Sequence, residues 1–550
     1  MKKSVLLFGA IVISVFITAS AMVFTACEND VQPELKKYLI ITFDKNNGDA
    51  GSTEANPKTI TIYYPDETLV HAGKSLPDDP WRASYVFSGW NRDPSGEGAD
   101  FDEEAIAPEI VNTTNLSYQD FTVYAQWKPG SVLVTKEGGA ANTAFPNLEK
   151  ALDFISETGS YTVKIVDDQT IASHPFSVTG VSITIEAAPG TNAAITRSGT
   201  GDLFTINTGV TLTLGSGITL NGESRAGRGV NVNGGTFIME GGTITGFTGF
   251  TGTNGGGVCL TDGAFTMKGG IISGNSATYG GGVYVFSSKT FAMKGGTIGG
   301  VAPNGNTASM GGGVYNSGTF ILEDGTITGN TANSASIGGG GVYNSGTFTM
   351  EGGTISKNSA VNGGGVYNPG DFTMEDGTIT ENDASGNGGG VEVSSGYPSG
   401  TFTMEGGTIS KNSAANGGGV SNKANFTMED GIISENEAEN GGGVYIAIDY
   451  GVVYGDFTME GGTISGNSAS NGGNGGGIYV SEFGDFTMEG GTIYGYDAAP
   501  AANKNEAEGL GQAIYVDPSL MRNETITIGP EDEPLVSRDD EDERWEEIAP

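Results

Sequence analysis

The sequence predicts an all-β protein. Its greater part should be a right-handed parallel β-helix, a solenoid with three short strands per coil, preceded by a smaller β module. Three observations carry this. A phenylalanine recurs at Phe237, Phe265, Phe291, Phe320, Phe348, Phe372, Phe402, Phe426, Phe457 and Phe486, at intervals of 24 to 31 residues, and such a period marks a repeat architecture. The phrase around it is nearly constant. Its cleanest copy, residues 339–360, reads Gly-Gly-Gly-Val-Tyr-Asn-Ser-Gly-Thr-Phe-Thr-Met-Glu-Gly-Gly-Thr-Ile-Ser-Lys-Asn-Ser-Ala. Nothing in it has the period or length of a helix.

Each unit holds three β-type runs: Val342-Tyr343, residues 347–350 and residues 354–356. Side chains alternate across a strand, so Val342, Phe348, Met350 and Ile355 share the interior while Tyr343, Thr349 and Glu351 point out. Glycine pairs mark tight corners. One unit cannot bury its apolar face alone; stacked units can, with parallel strands pairing between coils. Equivalent residues then stand about 4.8 Å apart, and ten coils make a rod of roughly 50 Å. Length varies mainly between the Asn-Ser-Ala end of one unit and the next glycines, which places loops on one side of the rod.

The repeat phrase resembles that of chlamydial-type polymorphic outer-membrane proteins over about residues 229–495, carried by the Gly-Gly-Gly-Val-Tyr and Thr-Ile-Ser-x-Asn pieces. The resemblance implies the pectate-lyase-like β-helix superfold, which hosts lyases, hydrolases and adhesins alike, so the fold does not fix the function. No C-terminal barrel segment follows the array, and autotransport is not implied.

In chain order, residues 1–26 read as a signal peptide: Lys2-Lys3, an apolar run over 5–17, then Phe24-Thr25-Ala26-Cys27. The last four resemble a relaxed bacterial lipobox, with Phe24 where Leu is usual. That resemblance implies cleavage before Cys27, a lipid on its sulfur and export to the cell envelope; outer-membrane, surface-exposed placement is expected. The plainer alternative is a secretory signal or anchor with Cys27 incidental. Residues 27–37 are a polar linker. The only other cysteine, Cys259, occupies an outward tyrosine position and is either an exposed thiol or a tolerated replacement without a role.

Residues 38–129 hold three of the four tryptophans and four alternating runs, at 38–43, 59–64, 85–90 and 121–127. Ile41-Thr42-Phe43-Asp44 with Asn46-Asn47-Gly48, then Phe87-Ser88-Gly89-Trp90, then Tyr124-Ala125-Gln126-Trp127 resemble the Listeria–Bacteroides surface repeat of internalin-type proteins. That family implies a β-grasp-like module that spaces or binds at a cell surface. The stretch between Tyr64 and Tyr85 departs from it by being longer and Pro-rich.

The β-helix itself spans residues 130–528. It opens on an amphipathic helix over 147–157, with Leu148, Leu152 and Ile155 on one face, that should plug the first coil. Strict repeats begin near Val230 and end at Tyr494, and a degenerate coil over 513–516 and 525–528 closes the array. Residues 529–550 read as an acidic disordered tail, with ten acids against two arginines after 530.

The net charge of −39 excludes nucleic acid, whose binding needs phosphate neutralisation by Lys and Arg. It also makes a lipid, not the protein body, the means of membrane attachment. Stacking turns repeat positions into columns. One is acidic: Glu240, Lys268, Lys294, Glu323, Glu351, Glu375, Glu405, Glu429, Glu460 and Glu489, with Asp324, Asp376 and Asp430 beside it. It is either a solvated, salt-screened strip or a collector of Ca²⁺ or a basic partner, though no calcium-loop spacing is present. A second column is aromatic: Tyr284, Tyr315, Tyr343, Tyr367, Tyr445 and Tyr479, interrupted by Glu392 and Ser421. Its rings either bind a ligand such as a glycan or protein surface or pack on one another. A third is amide, Asn275, Asn330, Asn358, Asn382, Asn412, Asn436 and Asn467, read as corner residues in left-handed backbone that pass hydrogen bonds up the stack.

No catalytic constellation, cofactor motif or metal spacing stands out. Uronate lyases of this superfold need a basic proton abstractor and cations, yet residues 230–521 contain no His and no Arg; His71 and His174 lie outside the repeats. A hydrolase needs only two carboxylates. The irregular places to seek them are Glu392 with residues 394–400, and residues 446–456 with Asp449 and Asp456. The reading that results is a lipid-anchored, non-enzymatic surface adhesin or structural interaction protein that meets a glycan or surface protein through its columns. The alternatives are a carbohydrate-active hydrolase and a passive coat.

Overall fold

A computed structural model of the chain describes residues 38–46, 54–63, 68–80, 85–104, 120–138, 143–249, 254–301, 303–395, 399–449, 453–481, 484–495, 501–516, 526–528, 536–539 and 544–547. The signal segment, Cys27 and the linker lie outside them. Two compact units form, with the main boundary between Gln126 and Trp127.

The N-terminal unit is a mixed five-stranded sheet of β1 (Tyr38–Asp44), β2 (Thr59–Tyr63), β3 (Tyr85–Asn91), β4 (Asp100–Phe101) and β5 (Phe121–Pro129), in the order β2-β1-β5-β3-β4. β1 pairs antiparallel with β2 and parallel with β5. Alternation buries Leu39, Ile41 and Phe43 on β1 and Val123 and Ala125 on β5. Phe43 meets Trp90 edge-on at 5.0 Å, an arrangement aromatic quadrupoles favour. Just after β1, Asp44 Oδ1 accepts from the Asn46 N–H at 2.7 Å, and Asn46 Nδ2 donates to the Ala125 carbonyl at 3.0 Å.

The second unit is a parallel β-solenoid of about 11 turns. In the coil of Phe348 its strands are Val342–Asn344, Thr347–Met350 and Thr354–Ser356, followed by a two-residue strand, Ser359–Ala360, that the sequence pattern does not announce. Each pairs in parallel with its counterparts in adjacent coils, Phe320↔Phe348↔Phe372 and Ile327↔Ile355↔Ile379 among them. The inward residues build one continuous core from Val132 to Ile514. The repeating phenylalanines stack at its centre, with ring centroids 4.4–5.2 Å apart from Phe237 to Phe486. That is one strand spacing, as parallel pairing requires.

The glycines answer to this close stacking. A Cβ on Gly341 would stand 2.6 Å from the Gly365 carbonyl oxygen of the next coil, and Gly339 has φ +78°.

The asparagines sit deeper than a corner reading implies. Asn275, Asn306, Asn330, Asn358, Asn382, Asn412, Asn436, Asn467 and Asn505 are all buried. Each of the first eight donates from Nδ2 to Oδ1 of the next at 2.9–3.1 Å. The left-handed residue is the one before: Gly274, Gly329 and Gly466 at φ +65°, Lys357, Glu381, Lys411 and Glu435 at +55° to +57°. The chain reverses at that residue, and the asparagine can then turn inward. Asn306 and Asn505 escape the sequence pattern because they follow irregular segments. A shorter amide ladder, Asn316 to Asn344 to Asn368, runs behind the Val-Tyr strands.

Both ends of the stack are covered. Helix α1 (Leu148–Phe154) is capped by Asn147, whose side chain accepts from the Lys150 N–H, and buries Leu148, Ala151 and Leu152. It is shorter than expected because Ile155 already leaves the helix, at ψ 84°, to enter the strand Gly159–Ile165. An unforeseen antiparallel strand, Val132–Lys136, pairs along that strand and blunts the first coil's edge. At the other end Ile514–Val516 and Ile526–Ile528 form the expected last coil. Within the acidic C-terminal segment, the described residues Val536–Asp539 pair antiparallel with Arg544–Glu547, and the Trp545 backbone pairs with Ile514. An open strand edge offers unpaired N–H and C=O groups, and the strand around Trp545 pairs with it at Ile514.

Candidate functional site

The parallel register carries the Val-Tyr-Asn strand from coil to coil and brings its second residue into a single column. From Tyr284 through Tyr315 and Tyr343 to Tyr367 the rings lie nearly parallel at 4.5–5.4 Å. The stack stops for two coils, at Glu392 and Ser421, and resumes from Tyr445 through Tyr479 to Tyr515, at 5.0–5.1 Å. Tyr515 extends the predicted column by one. The rings are less exposed than outward alternation implies. Tyr284 is 8% exposed and the other predicted rings are half-buried, because each lies flat on its neighbour. The ring faces are covered by their neighbours in the stack. This is the ring-on-ring packing that was the structural alternative, and it leaves a narrower binding surface than a free aromatic ladder.

Cys259 stands in the same column, directly beneath Tyr284 in register. It is fully buried, which corrects the exposed-thiol alternative, and burial pushes its thiol up to about 11. Since the thiolate is the reactive form, the folded protein should resist iodoacetamide at neutral pH and be labelled only in denaturant. Peptide mass mapping of alkylated Cys259 checks this.

Burial also raises the phenol pKa values of Tyr284, Tyr315 and Tyr343. An unfolded chain releases these protons near the ordinary values, about 8.5 for thiol and about 10 for phenol. Stability is therefore complete below that range and lost as pH rises through it and beyond, because the unfolded state deprotonates first. The urea midpoint should hold steady up to about pH 8 and fall above it, with a shallower fall in Tyr343→Phe.

The interruption of the ladder is built from unusual residues. Glu392 is 1% exposed. Its Oε1 accepts from Lys423 Nζ at 2.7 Å, and Lys423 is 18% exposed. Ser421, next in the column, is fully buried, and its Oγ has no hydrogen-bond partner among the described residues. The Tyr367 hydroxyl bonds Ser394 Oγ at 3.0 Å. In sequence, two insertions follow this strand position, residues 394–400 after Val393 and residues 447–455 after Ile446; in the latter, Ile448–Asp449 pairs antiparallel with Val453–Tyr454.

Of the carboxylates singled out as hydrolase candidates, Glu392 is thus an ion-pair partner within this break. Asp456 lies on the Phe strand beside Asp485 in register; partial loss of hydration and then the Asp485 charge raise its pKa. The Asp449 side chain lies outside the described residues. Nothing described brings Glu392 and Asp456 together.

The acidic column is solvated along its length. Its two lysines pair within it, Lys268 with Glu240 at 3.1 Å and Lys294 with Glu323. Asp324, Asp376 and Asp430 each accept from the following glycine N–H at 2.7 Å, so they brace the turn besides adding charge. Among the described residues no three acidic, His or Cys side chains converge as a metal would require, and no helix is long and apolar enough to cross a membrane.

Fold and surface together define a parallel β-solenoid repeat protein. No protein-family profile matches the chain, and no solved structure does. A stretch of 156 residues, 28% of the chain, is 24% identical to a protein of Evansella cellulosilytica named "Putative Gly-rich membrane protein". The chain covers 16% of that protein's length.

Proposed function

We propose that this protein is displayed on the bacterial envelope and acts without catalysis, as an adhesin or structural interaction protein that engages a glycan or surface protein through its repeated columns. The observation that carries the reading is the register: equivalent outward residues stand one strand spacing apart over the whole stack. Such a surface offers one weak contact many times, and repeated weak contacts add to useful avidity. The likeness of the repeats to polymorphic outer-membrane proteins, of residues 38–129 to internalin-type surface modules and of residues 24–27 to a lipobox supports display, with Cys27 as the lipid-bearing residue. The membrane-protein name of the Evansella relative is in keeping with an envelope location.

The test applies soluble residues 38–550 to immobilised polysaccharides and glycoproteins and scores retention and new sugar ends in the same wells. Retention without cleavage is expected, and it should fade stepwise as Tyr343, Tyr367 and Tyr445 are changed singly and together. New sugar ends would replace this reading with a hydrolase. Absence of both would leave a passive coat.

A further inference from the structure

We infer that the break in the tyrosine ladder, at Glu392 and Ser421, is a discrete binding site for a neutral sugar residue; this deepens the glycan-binding reading and rests on it. Continuing the ladder would have needed only Tyr at both positions, as in the coils on either side. Instead two successive coils carry Val-Glu-Val and Val-Ser-Asn. Lys423 accompanies the change, two residues beyond Ser421, where the regular coils carry Ser317 and Ser345.

Packing does not account for this set. A buried ion pair gains little over an apolar replacement of similar volume, so Glu392 with Lys423 is a poor substitute for two stacked rings. The Ser421 hydroxyl is fully buried and has no partner among the described residues. Buried polar groups are nearly always paired, and an orphan calls for an explanation. A ligand hydroxyl supplies the missing partner.

The chemistry at the break is that of polyol recognition. Glu392 offers a carboxylate acceptor, Lys423 an ammonium donor and Ser421 a hydroxyl that serves as either. Tyr367 and Tyr445, the last ring before the break and the first after it, flank it in register and would meet the carbon face of a pyranose there. Lys423 is the member that reaches solvent, and its long side chain can withdraw from Glu392 as sugar hydroxyls take its place. A uronate would bring a second negative charge against Glu392, which selects for neutral sugars.

The experiment is calorimetric titration of soluble residues 38–550, their fold checked by circular dichroism, with methyl glycosides of common neutral hexoses and with methyl glucuronide. It is run on the wild type, Ser421→Tyr, Glu392→Gln and Tyr343→Ala. Ser421→Tyr restores the ladder residue and should keep or raise the melting temperature while weakening glycoside binding by about tenfold or more. Glu392→Gln keeps the shape and should weaken binding similarly, while Tyr343→Ala serves to probe the column reading through polysaccharide retention. Wild-type affinity in both Ser421→Tyr and Glu392→Gln would overturn the site; if polysaccharide retention persisted and fell in Tyr343→Ala, the column reading would stand without it. Binding of neither glycosides nor polysaccharides would overturn both. Preference for the glucuronide would overturn the assignment to neutral sugars.

Discussion

Asn358→Leu should lower the stability of the solenoid by about 3–6 kcal/mol, far more than its size-conserving geometry suggests. Asn358 Oδ1 accepts from both the backbone N–H and the side-chain Nδ2 of Asn330, at 3.0 Å each. Its own Nδ2 donates to the Ile327 carbonyl at 2.9 Å and to Asn382 Oδ1 at 3.0 Å. Leucine fills the space but orphans two donors of Asn330 and the Ile327 carbonyl, all in the core. Each buried polar group left unpaired costs about 1–3 kcal/mol, offset in part by the greater apolarity of leucine. Because coils interact mainly with their neighbours, the loss should appear first as local opening around Ile327 and Ile379, seen as faster amide exchange there than at Phe237 or Phe457.

Asn362→Ala is the matched control. Asn362 accepts from Asn387 at 3.0 Å and donates to the Ser336 carbonyl at 3.0 Å, but it is partly exposed and water can replace it. Its loss should cost about 1 kcal/mol or less. Equal effects of the two substitutions in urea denaturation would mean that the inner ladder is not the element that pins one coil to the next.

How much of this was legible in the sequence follows from how local each determinant is. The coil was, because Phe348, Met350 and Ile355 declare their side by alternation and the period repeats the statement ten times. The columns were too, since register follows from identity of position. Exposure was not. Whether Tyr343 points into solvent or lies against Tyr315 and Tyr367 depends on strand spacing and ring size together, and the outward direction alone says nothing about it. Asn358 was legible as a column but not as a buried one, because an asparagine after a left-handed corner has the same sequence signature whether it turns in or out. The two end caps were the least legible. Val132–Lys136 is too short to announce its antiparallel pairing, and the strand around Trp545 lies within an acidic run that composition reads as solvated. The break was visible as two odd residues, Glu392 and Ser421, but its ion pair was not, because Lys423 lies 31 residues from its partner.

Arg197 went unread for a related reason, and it sets up the second large effect. An arginine at the end of Ala193–Arg197 looks like a surface residue, yet alternation from Ala193 and Ile195 turns it inward and it is fully buried. Its guanidinium answers three carbonyls of the irregular early coils. Nε donates to Gly199 O at 3.0 Å, Nη2 to Arg225 O at 2.6 Å and Nη1 to Gly201 O. Its cation lies 5.2 Å from the Phe247 ring centre. The surroundings are shaped to it: Gly227 has φ +135°, and a Cβ there would collide with Nη1.

Arg197→Met should therefore cost about 2–4 kcal/mol, from the loss of three charge-assisted hydrogen bonds less the gain of an apolar chain. Arg197→Lys should fall between, since one ammonium on a flexible stem cannot reproduce the planar fork. Both losses should be nearly independent of salt, because screening acts weakly on a buried charge. Urea denaturation at low and high ionic strength checks the magnitudes, and amide exchange at Arg225 and Phe247 checks the place. If Arg197→Met unfolded at the wild-type urea concentration, the carbonyls would have other donors, and the guanidinium could not be what joins the irregular first coils to the regular stack.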